Sequence, residues 1–292
     1  MGDQLEATGM IEAITLAEHV RIALAEDLGR AGDITAAYFL RADGGARARL
    51  VARSPGVLAG AEAAMEVFRQ VDEGIDCRLM RKDGEVLAAG EAVLEIAGPV
   101  RSLVTAERTA LNYVQHLSGI ATLTRCYVDA VAHTKAIILD TRKTLPLWRA
   151  LQKAAVRAGG GQNHRFGLFD RAMVKDNHLS ACRQPASLQA AIRRLRADHP
   201  GVEVEMEADN LGQVEQFLAL EGVDYLLLDN MGCEDLRKAV EMVGGRIRTE
   251  ASGGVTLETV AEIAETGVDF ISVGALTHSA PALDLALDFA VT

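Results

Sequence analysis

The sequence predicts an α/β protein in which a smaller first domain, containing hairpins, precedes a parallel α/β barrel. Three observations carry this expectation. From residue 137 onward, six short apolar runs alternate with amphipathic stretches, the strand-then-helix rhythm of a parallel sheet with helices outside. Nearly every run ends in a polar or charged residue, and interior strands buried on both faces should otherwise be apolar. Charged residues gathered at the C-terminal ends of strands mark the working face of an α/β barrel. Before residue 120 the pattern differs, with helical stretches flanking short alternating runs.

In chain order, Ile14, Leu16, Ala17, Val20, Ile22, Ala23 and Leu24 recur at helical spacing over residues 14–28, and AGDIT then breaks the pattern. Residues 46–53 (ARARLVAR) largely alternate apolar and basic, as a half-buried strand does. RKDGEVLAAGEAVLEIAGP carries Asp83–Gly84 between apolar runs and reads as hairpins. Such hairpins also resemble those of lipoyl and biotinyl carriers, but no Met-Lys pair stands at a tip. Residues 101–131 read as one or two long helices. The predicted barrel strands are IILDT (137–141), AMVKD (172–176), VEVEME (202–207), DYLLLDN (224–230), RIRTEAS (246–252) and DFISVG (269–274). Helices are predicted at 147–158, 186–197, 211–220, 233–243 and 257–266, with a final one at 281–290. No G-x-G-x-x-G follows a strand, which weakens a dinucleotide-binding reading.

Composition narrows the function classes. At 292 residues the chain can bury a substantial core in one large or two modest domains. A net charge of −11 disfavours general nucleic-acid binding, which wants a basic face. No apolar run approaches the ~20 residues that span a bilayer, so no membrane association is expected. MGDQLEATGM lacks the basic start and apolar middle of a signal peptide, and no Ser/Thr completes a myristoylation signal after Gly2. Cys77, Cys126, Cys182 and Cys233 form no C-x-x-C pair, which argues for reduced thiols in a cytoplasmic protein. Against this acidic background, residues 140–178 hold eight Lys/Arg (Arg142, Lys143, Arg149, Lys153, Arg157, Arg165, Arg171, Lys175) and three acids (Asp140, Asp170, Asp176). Charge focused in this way suits a polyanionic small molecule.

The strand ends supply the chemistry. ASGGV (251–255) and VGALTHS (273–279) place small residues between a strand and a helix. Backbone N–H groups there can approach a phosphate, and barrels often bind phosphate after their last two strands. A Gly-Gly loop alone more often marks a tight turn. Glu207 and Asp229 end adjacent strands, and two carboxylates so placed suit Mg²⁺ or the hydroxyls of a ribose. They equally suit simple charge balance against nearby lysines. Arg142, Lys143, Lys175, His164 and Arg165 would surround the mouth and hold an anion, where Arg forks match carboxylates in two-point geometry. The plain alternative is a solvated basic surface.

Seven ordered stretches then make a specific resemblance: ERTALNYVQHLSGIAT (107–122), DTRKT (140–144), GGGQNHRFG (159–167), VKDNH (174–178), LLDNM (227–231), EASGGV (250–255) and VGALTHS (273–279). Together with the early EDLGRAGDIT (26–35), they resemble the quinolinate phosphoribosyltransferase family from about residue 20 to the end. The resemblance implies the type II phosphoribosyltransferase architecture. An N-terminal, hammerhead-like α/β sandwich (residues 1–120) precedes an incomplete, TIM-like α/β barrel (121–280), and a C-terminal helix (281–292) packs back on the first domain. It implies a homodimer with shared active sites, with a hexamer open as a higher assembly, and Arg108 crossing into the partner's site. It assigns Thr141, Arg142, Lys143, His164, Arg165 and Lys175 to the two substrates. It assigns Glu207 (with Glu205 as the neighbouring alternative) and Asp229 to metal and ribose, and Ser252, Gly253, Gly254, Val273, Gly274 and Ala275 to ribose and phosphate. Lys143, Lys175, Glu207 and Asp229 would carry the catalysis. One departure stands out: the family's usual T-P-G after DTRKT is here Leu145-Pro146-Leu147, which removes a residue at ease with positive φ.

The implied reaction joins quinolinate to phosphoribosyl pyrophosphate with Mg²⁺ and no organic cofactor, giving nicotinate mononucleotide, pyrophosphate and CO₂. Two other classes compete. Lys175 at a strand end is where a Schiff-base aldolase keeps its lysine, and it would need that amine neutral. A non-catalytic ligand-sensing barrel would have lost site residues, and none is lost here. A sister transferase acting on nicotinate also remains within the enzyme class.

Overall fold

The computed structural model describes residues 14–175, 177–178 and 185–290, so Asp176 and Cys182 lie outside the described residues. It divides into two compact units, one formed by the chain up to Ser118 with the segment from Ala282 onward, the other by Gly119–Pro281.

In the first unit, α1 (Leu16–Leu28) starts at a capping box, with the Thr15 hydroxyl accepting from Glu18 N–H and the Glu18 carboxylate accepting from Thr15 N–H. Asp33 caps the short α2 (Ile34–Phe39). A four-stranded sheet runs in the order β12 (Leu285–Ala290), β1 (Gly45–Ala52), β5 (Ala92–Pro99), β3 (Asp76–Leu79), and a separate pair joins β2 (Gly56–Val57) to β4 (Val86–Leu87). α3 (Ala61–Val71) buries Ala63, Ala64, Val67 and Phe68. The boundary between the units falls inside α4 (Val100–Val131), one continuous helix over the span predicted as one or two.

Two sequence expectations are corrected here. Residues 281–290 hold no helix. Leu285–Ala290 is a strand antiparallel to β1, with Leu287 opposite Leu50. Its residues are good helix formers, but Leu283, Leu285 and Leu287 are buried and Asp284, Ala286 and Asp288 are not, a period of two. Nor does Asp83–Gly84 close a hairpin, because β3 pairs with β5 and β4 with β2. The Asp83 carboxylate instead accepts from the N–H groups of Gly60 (2.8 Å) and Ala61 (3.1 Å), satisfying donors at the start of α3.

The second unit is a six-stranded, all-parallel sheet in the order β6 (Ile137–Leu139), β11 (Phe270–Ser272), β10 (Arg248–Ser252), β9 (Tyr225–Asp229), β8 (Glu203–Ala208), β7 (Arg171–Val174). Each predicted barrel strand is present. The first two in sequence, β6 and β7, are the two edges, so the ring stays open between them. Gln162 lies along the free edge of β6, donating to Ile138 O (2.9 Å) and accepting from Asp140 N–H (3.2 Å). That both His164, from this seam, and Ser272, from β11, reach Glu250 on β10 shows how far the sheet curls. Between strands lie α5 (Arg149–Ala158), α6 (Pro185–Asp198), α7 (Leu211–Leu218), α8 (Cys233–Val243), α9 (Val260–Ala264) and α10 (Ala275–His278). No described helix is long and apolar enough to cross a membrane.

Side chains with the same parity on the strands fill the barrel in tiers. The lowest tier joins Glu203, Arg171, Tyr225 and Arg248: Arg171 donates to Glu203 (2.8 Å) and stacks over the Tyr225 ring (4.0 Å), and Arg248 donates to the Tyr225 hydroxyl (2.8 Å). Two residues further along β8 and β10 stand Glu205 and Glu250, and two further still Glu207 and Ser252, at the C-terminal mouth.

Candidate active site at the mouth of the barrel

The loop after β6 carries Thr141, Arg142 and Lys143. Thr141 Oγ1 accepts the Lys143 N–H (3.0 Å), and Lys143 O accepts from Thr277 Oγ1 (2.8 Å), which ties this loop to α10 after β11. The Lys143 side chain runs across Gly274, where a Cβ would come within 3.1 Å of its Cδ. Arg142 is half-buried, and its Nε has no hydrogen-bond partner among the described residues.

The loop between β6 and β7 is held from beneath by Asp140. This fully buried carboxylate pairs with Lys153 and accepts from Asn163 Nδ2 (2.5 Å) and His164 N–H (2.9 Å). Lys153 also donates to His164 O (2.9 Å). Burial pushes Asp140 up and Lys153 down, and their mutual attraction opposes both shifts. Arg149 donates to Thr144 Oγ1 and Phe166 O (3.0 Å each), Arg157 donates to Asn163, and Arg171 is engaged in the lowest tier. Four of the eight basic residues that mark this segment therefore build loops or floor.

Arg165 reaches down to Arg171 O (3.1 Å) and lies close enough to Arg142 for that charge, after burial, to depress its ionisation. Two guanidinium groups thus stand near each other with no carboxylate hydrogen-bonded to either among the described residues. His164 is 5% exposed as a side chain, and its ring points into the barrel. Its Nε2 lies 3.3 Å from Glu205 and 3.4 Å from Glu250, without hydrogen-bond geometry to either. Burial draws His164 down, and the two carboxylates outweigh it, raising it to about 9. A doubly protonated ring conflicts with the geometry, however, because Nδ1 accepts the Arg165 N–H at 2.7 Å and must be bare to do so. The contact geometry defines the state described here, with the proton on Nε2. Burial raises Glu205. Glu250 is held low in spite of burial by His164, Ser272 and Glu205. His164, Glu205 and Glu250 offer ligand atoms within 4.8 Å of one another, but Arg171 already brings positive charge to 3.6 Å from Glu205.

At the rim, Lys175 is ion-paired with Glu207. Schiff-base lysines work among apolar or cationic neighbours, so this partner counts against the aldolase reading. Asp229 accepts from Asn230 Nδ2 (2.6 Å), and Asn230 holds a left-handed φ of 53°. Gly253 (φ 98°) passes so close to Asn230 that a Cβ would collide with Oδ1. The N–H groups of Gly253, Gly254, Gly274 and Ala275 have no backbone acceptor among the described residues. Val273 differs: its side chain is buried and its N–H donates to Leu139 O (2.9 Å), leaving only its carbonyl for the loop.

The barrel thus brings together Thr141, Arg142, Lys143, His164, Arg165, Lys175, Glu207, Asp229, Ser252 and the two glycine loops, all at or just below the strand ends. Arg108 belongs to the other unit, exposed on α4. Sequence reasoning did not single out Asn163, Asn230, Glu250 or Ser272. Glu250 had a signal, an acid in mid-strand two residues before a site serine, where an apolar residue is the rule.

Comparison with known proteins identifies the family. Residues 33–118 match the family model for "Quinolinate phosphoribosyl transferase, N-terminal domain", and residues 120–288 match that for the C-terminal domain. The chain is 46% identical over 274 residues to a Mycobacterium leprae protein named nicotinate-nucleotide pyrophosphorylase [carboxylating], covering 92% of this chain and 95% of that one. A Bacillus subtilis protein, named as the probable enzyme of the same kind, is 41% identical over 263 residues, covering 90% and 89%. The solved nicotinate-nucleotide pyrophosphorylase of Francisella tularensis superposes with a TM-score of 0.88 at 39% identity, covering 96% of this chain and 98% of that one. With both halves matched in order and relatives of this similarity along nearly the full length, the chain belongs to the quinolinate phosphoribosyltransferase family.

Proposed function

We propose that this enzyme transfers the phosphoribosyl group of phosphoribosyl pyrophosphate to quinolinate and releases pyrophosphate and CO₂, leaving nicotinate mononucleotide for NAD synthesis. The observation that carries the substrate is the neighbouring pair Arg142 and Arg165, to which no carboxylate is hydrogen-bonded among the described residues, above a floor of structural ion pairs. A pyridine dicarboxylate supplies the missing anions, each charge-assisted contact contributing about 1.5–3 kcal/mol. Thr141 and the His164 loop complete its cradle, and Lys143, lying across Gly274, reaches toward the phosphates. Gly253, Gly254, Gly274 and Ala275 offer N–H groups to the 5′-phosphate, with Ser252 and the Val273 carbonyl beside them.

Glu207 and Asp229 face the ribose. As the bond from ribose carbon to pyrophosphate breaks, positive charge develops on the sugar, and carboxylates at the strand ends stabilise it. The ring nitrogen then bonds to that carbon and becomes cationic. This cationic nitrogen stabilises the electron pair that stays on the ring carbon when the adjacent carboxylate departs as CO₂, and that pair then takes up a proton. Mg²⁺ fits the donor set: it binds through one or two carboxylates plus substrate phosphates and keeps its waters. Glu207 and Asp229 would hold it, and it would neutralise the leaving pyrophosphate. Lys175 balances Glu207 until substrate charge replaces that pairing.

The active assembly is a homodimer in the cytoplasm, with Arg108 entering the partner's mouth. Support comes from the exposure of Arg108 and of apolar Ile34, Tyr38 and Phe39 on α2, a patch that suits burial against another copy. The decisive assay is pyrophosphate release with quinolinate set beside nicotinate. Activity with quinolinate and little with nicotinate is expected, and equal turnover of both would overturn the substrate reading.

A further inference from the structure

The middle tier of the barrel holds a group of atoms that the proposed chemistry leaves unused. Among the described residues, His164 Nε2, both oxygens of Glu205 and Glu250 Oε2 are buried without a hydrogen-bond partner, although such atoms in a folded interior are ordinarily satisfied. They converge from three directions: the seam loop, β8 and β10. A fourth element, β11, contributes Ser272, whose hydroxyl donates to Glu250 Oε1 and so leaves Oε2 toward the imidazole.

We propose that Glu250, oriented by Ser272, is a positioning residue: it sets the tautomer of His164 and, through that ring, the placement of Arg165 beneath the dicarboxylate. This rests on the reading of Arg165 as a substrate cation. The argument runs along one chain of contacts. Two acidic side chains stand 3.3 and 3.4 Å from Nε2. A lone pair at that nitrogen would face their negative charge, so the ring proton belongs there. Nδ1 is then bare and accepts the Arg165 N–H at 2.7 Å. The preceding N–H, that of His164, is taken by Asp140 at 2.9 Å. Two consecutive backbone donors of the seam loop are thus fixed by side-chain acceptors, and only the second depends on a tautomer. Arg165 needs this anchor because its guanidinium lies near that of Arg142, and like charges move apart when nothing holds them.

Replacing Glu250 by Gln removes the negative charge and puts an amide that can donate opposite Nε2. Glu205 still faces Nε2 at 3.3 Å, so the ring proton divides between the two nitrogens instead of staying on Nε2, and the share on Nδ1 expels the Arg165 N–H. In full-length protein labelled with ¹⁵N-histidine, the two ring nitrogens of His164 report this directly, assigned by their loss in His164→Gln. The wild type is expected to show a protonated Nε2 and a bare Nδ1, and Glu250→Gln a partly protonated Nδ1. In steady state Glu250→Gln should raise KM for quinolinate about tenfold, the equivalent of 1.4 kcal/mol. KM for phosphoribosyl pyrophosphate should stay within about twofold, because its contacts lie at other strand ends. A purely structural Glu250 would lower the unfolding temperature and move neither the tautomer nor this ratio of KM values. A folded Glu250→Gln with Nδ1 still bare and KM for quinolinate unchanged would overturn the proposal. If that variant does not fold, Ser272→Ala decides, since it frees Glu250 without removing its charge. A smaller rise in the same KM supports the inference, and none overturns it. A wild-type enzyme inactive on quinolinate would sink the functional reading instead, while the nitrogen measurement still decides the tautomer.

Discussion

At Leu147 the chain holds φ at 66° with a leucine 69% exposed, a backbone conformation that glycine adopts far more readily. A left-handed leucine costs about 1–2 kcal/mol, and the extra freedom of an unfolded glycine returns part of that. Leu147→Gly should therefore raise stability by about 0.5–1 kcal/mol in denaturant unfolding, and a loss would show that the exposed leucine makes a contact worth more than the strain. The residue was legible as a departure in sequence, but its conformation was not, because nothing local announces that a loop will keep a glycine's backbone without the glycine. Asp229 is the sharper functional test. Glu207 has Lys175 as partner, whereas among the described residues Asp229 accepts from a neutral amide. Asp229→Asn should lower kcat by about 10²–10³ if it faces the developing charge on the ribose, with quinolinate binding little changed. Near-normal turnover would return this carboxylate to simple charge balance.

At the scale of elements, the seam between β6 and β7 is where reading the sequence and reading the structure part most instructively. The basic excess across 140–178 was visible as a number, and it pointed to the loop and strand ends around the mouth of the sheet. Which cations face the substrate was not visible, because Lys153, Arg157 and Arg171 are consumed by Asp140, Asn163 and Glu203, at separations that only the fold closes. Lys153→Met tests that division. It leaves Asp140 buried and unpaired, so unfolding free energy should fall by about 3–5 kcal/mol. A variant as stable as wild type would mean that Lys153 belongs to the mouth. The barrel strands themselves were legible, because apolar runs ending in charge repeat six times. β12 was not, since Leu, Ala and Asp serve either element and its partner β1 lies far upstream.

At the scale of the molecule, the order of motifs and the two-part organisation could be read from the chain, but whether one copy completes another's site could not. Arg108, exposed on α4, carries that question. Arg108→Ala and Lys175→Ala should each be nearly inactive alone. After subunit exchange, a mixed dimer has one mouth lacking both groups and one lacking neither, so activity should recover to at most about half of wild type per mixed dimer. No recovery, with exchange verified by mass, would place Arg108 in its own subunit's site.

The late position of β12 has a consequence for how the protein is made. Domains ordinarily fold in the order of their synthesis, the N-terminal one first. Here β1 waits for an edge strand that follows the entire second unit in the chain. A ribosome that has just finished the barrel has translated every barrel strand, while the first unit still shows one raw edge to its surroundings. Released protein ending at residue 281 should therefore be cut by protease preferentially within the first unit, and that sensitivity should vanish in chains that include Leu285–Ala290.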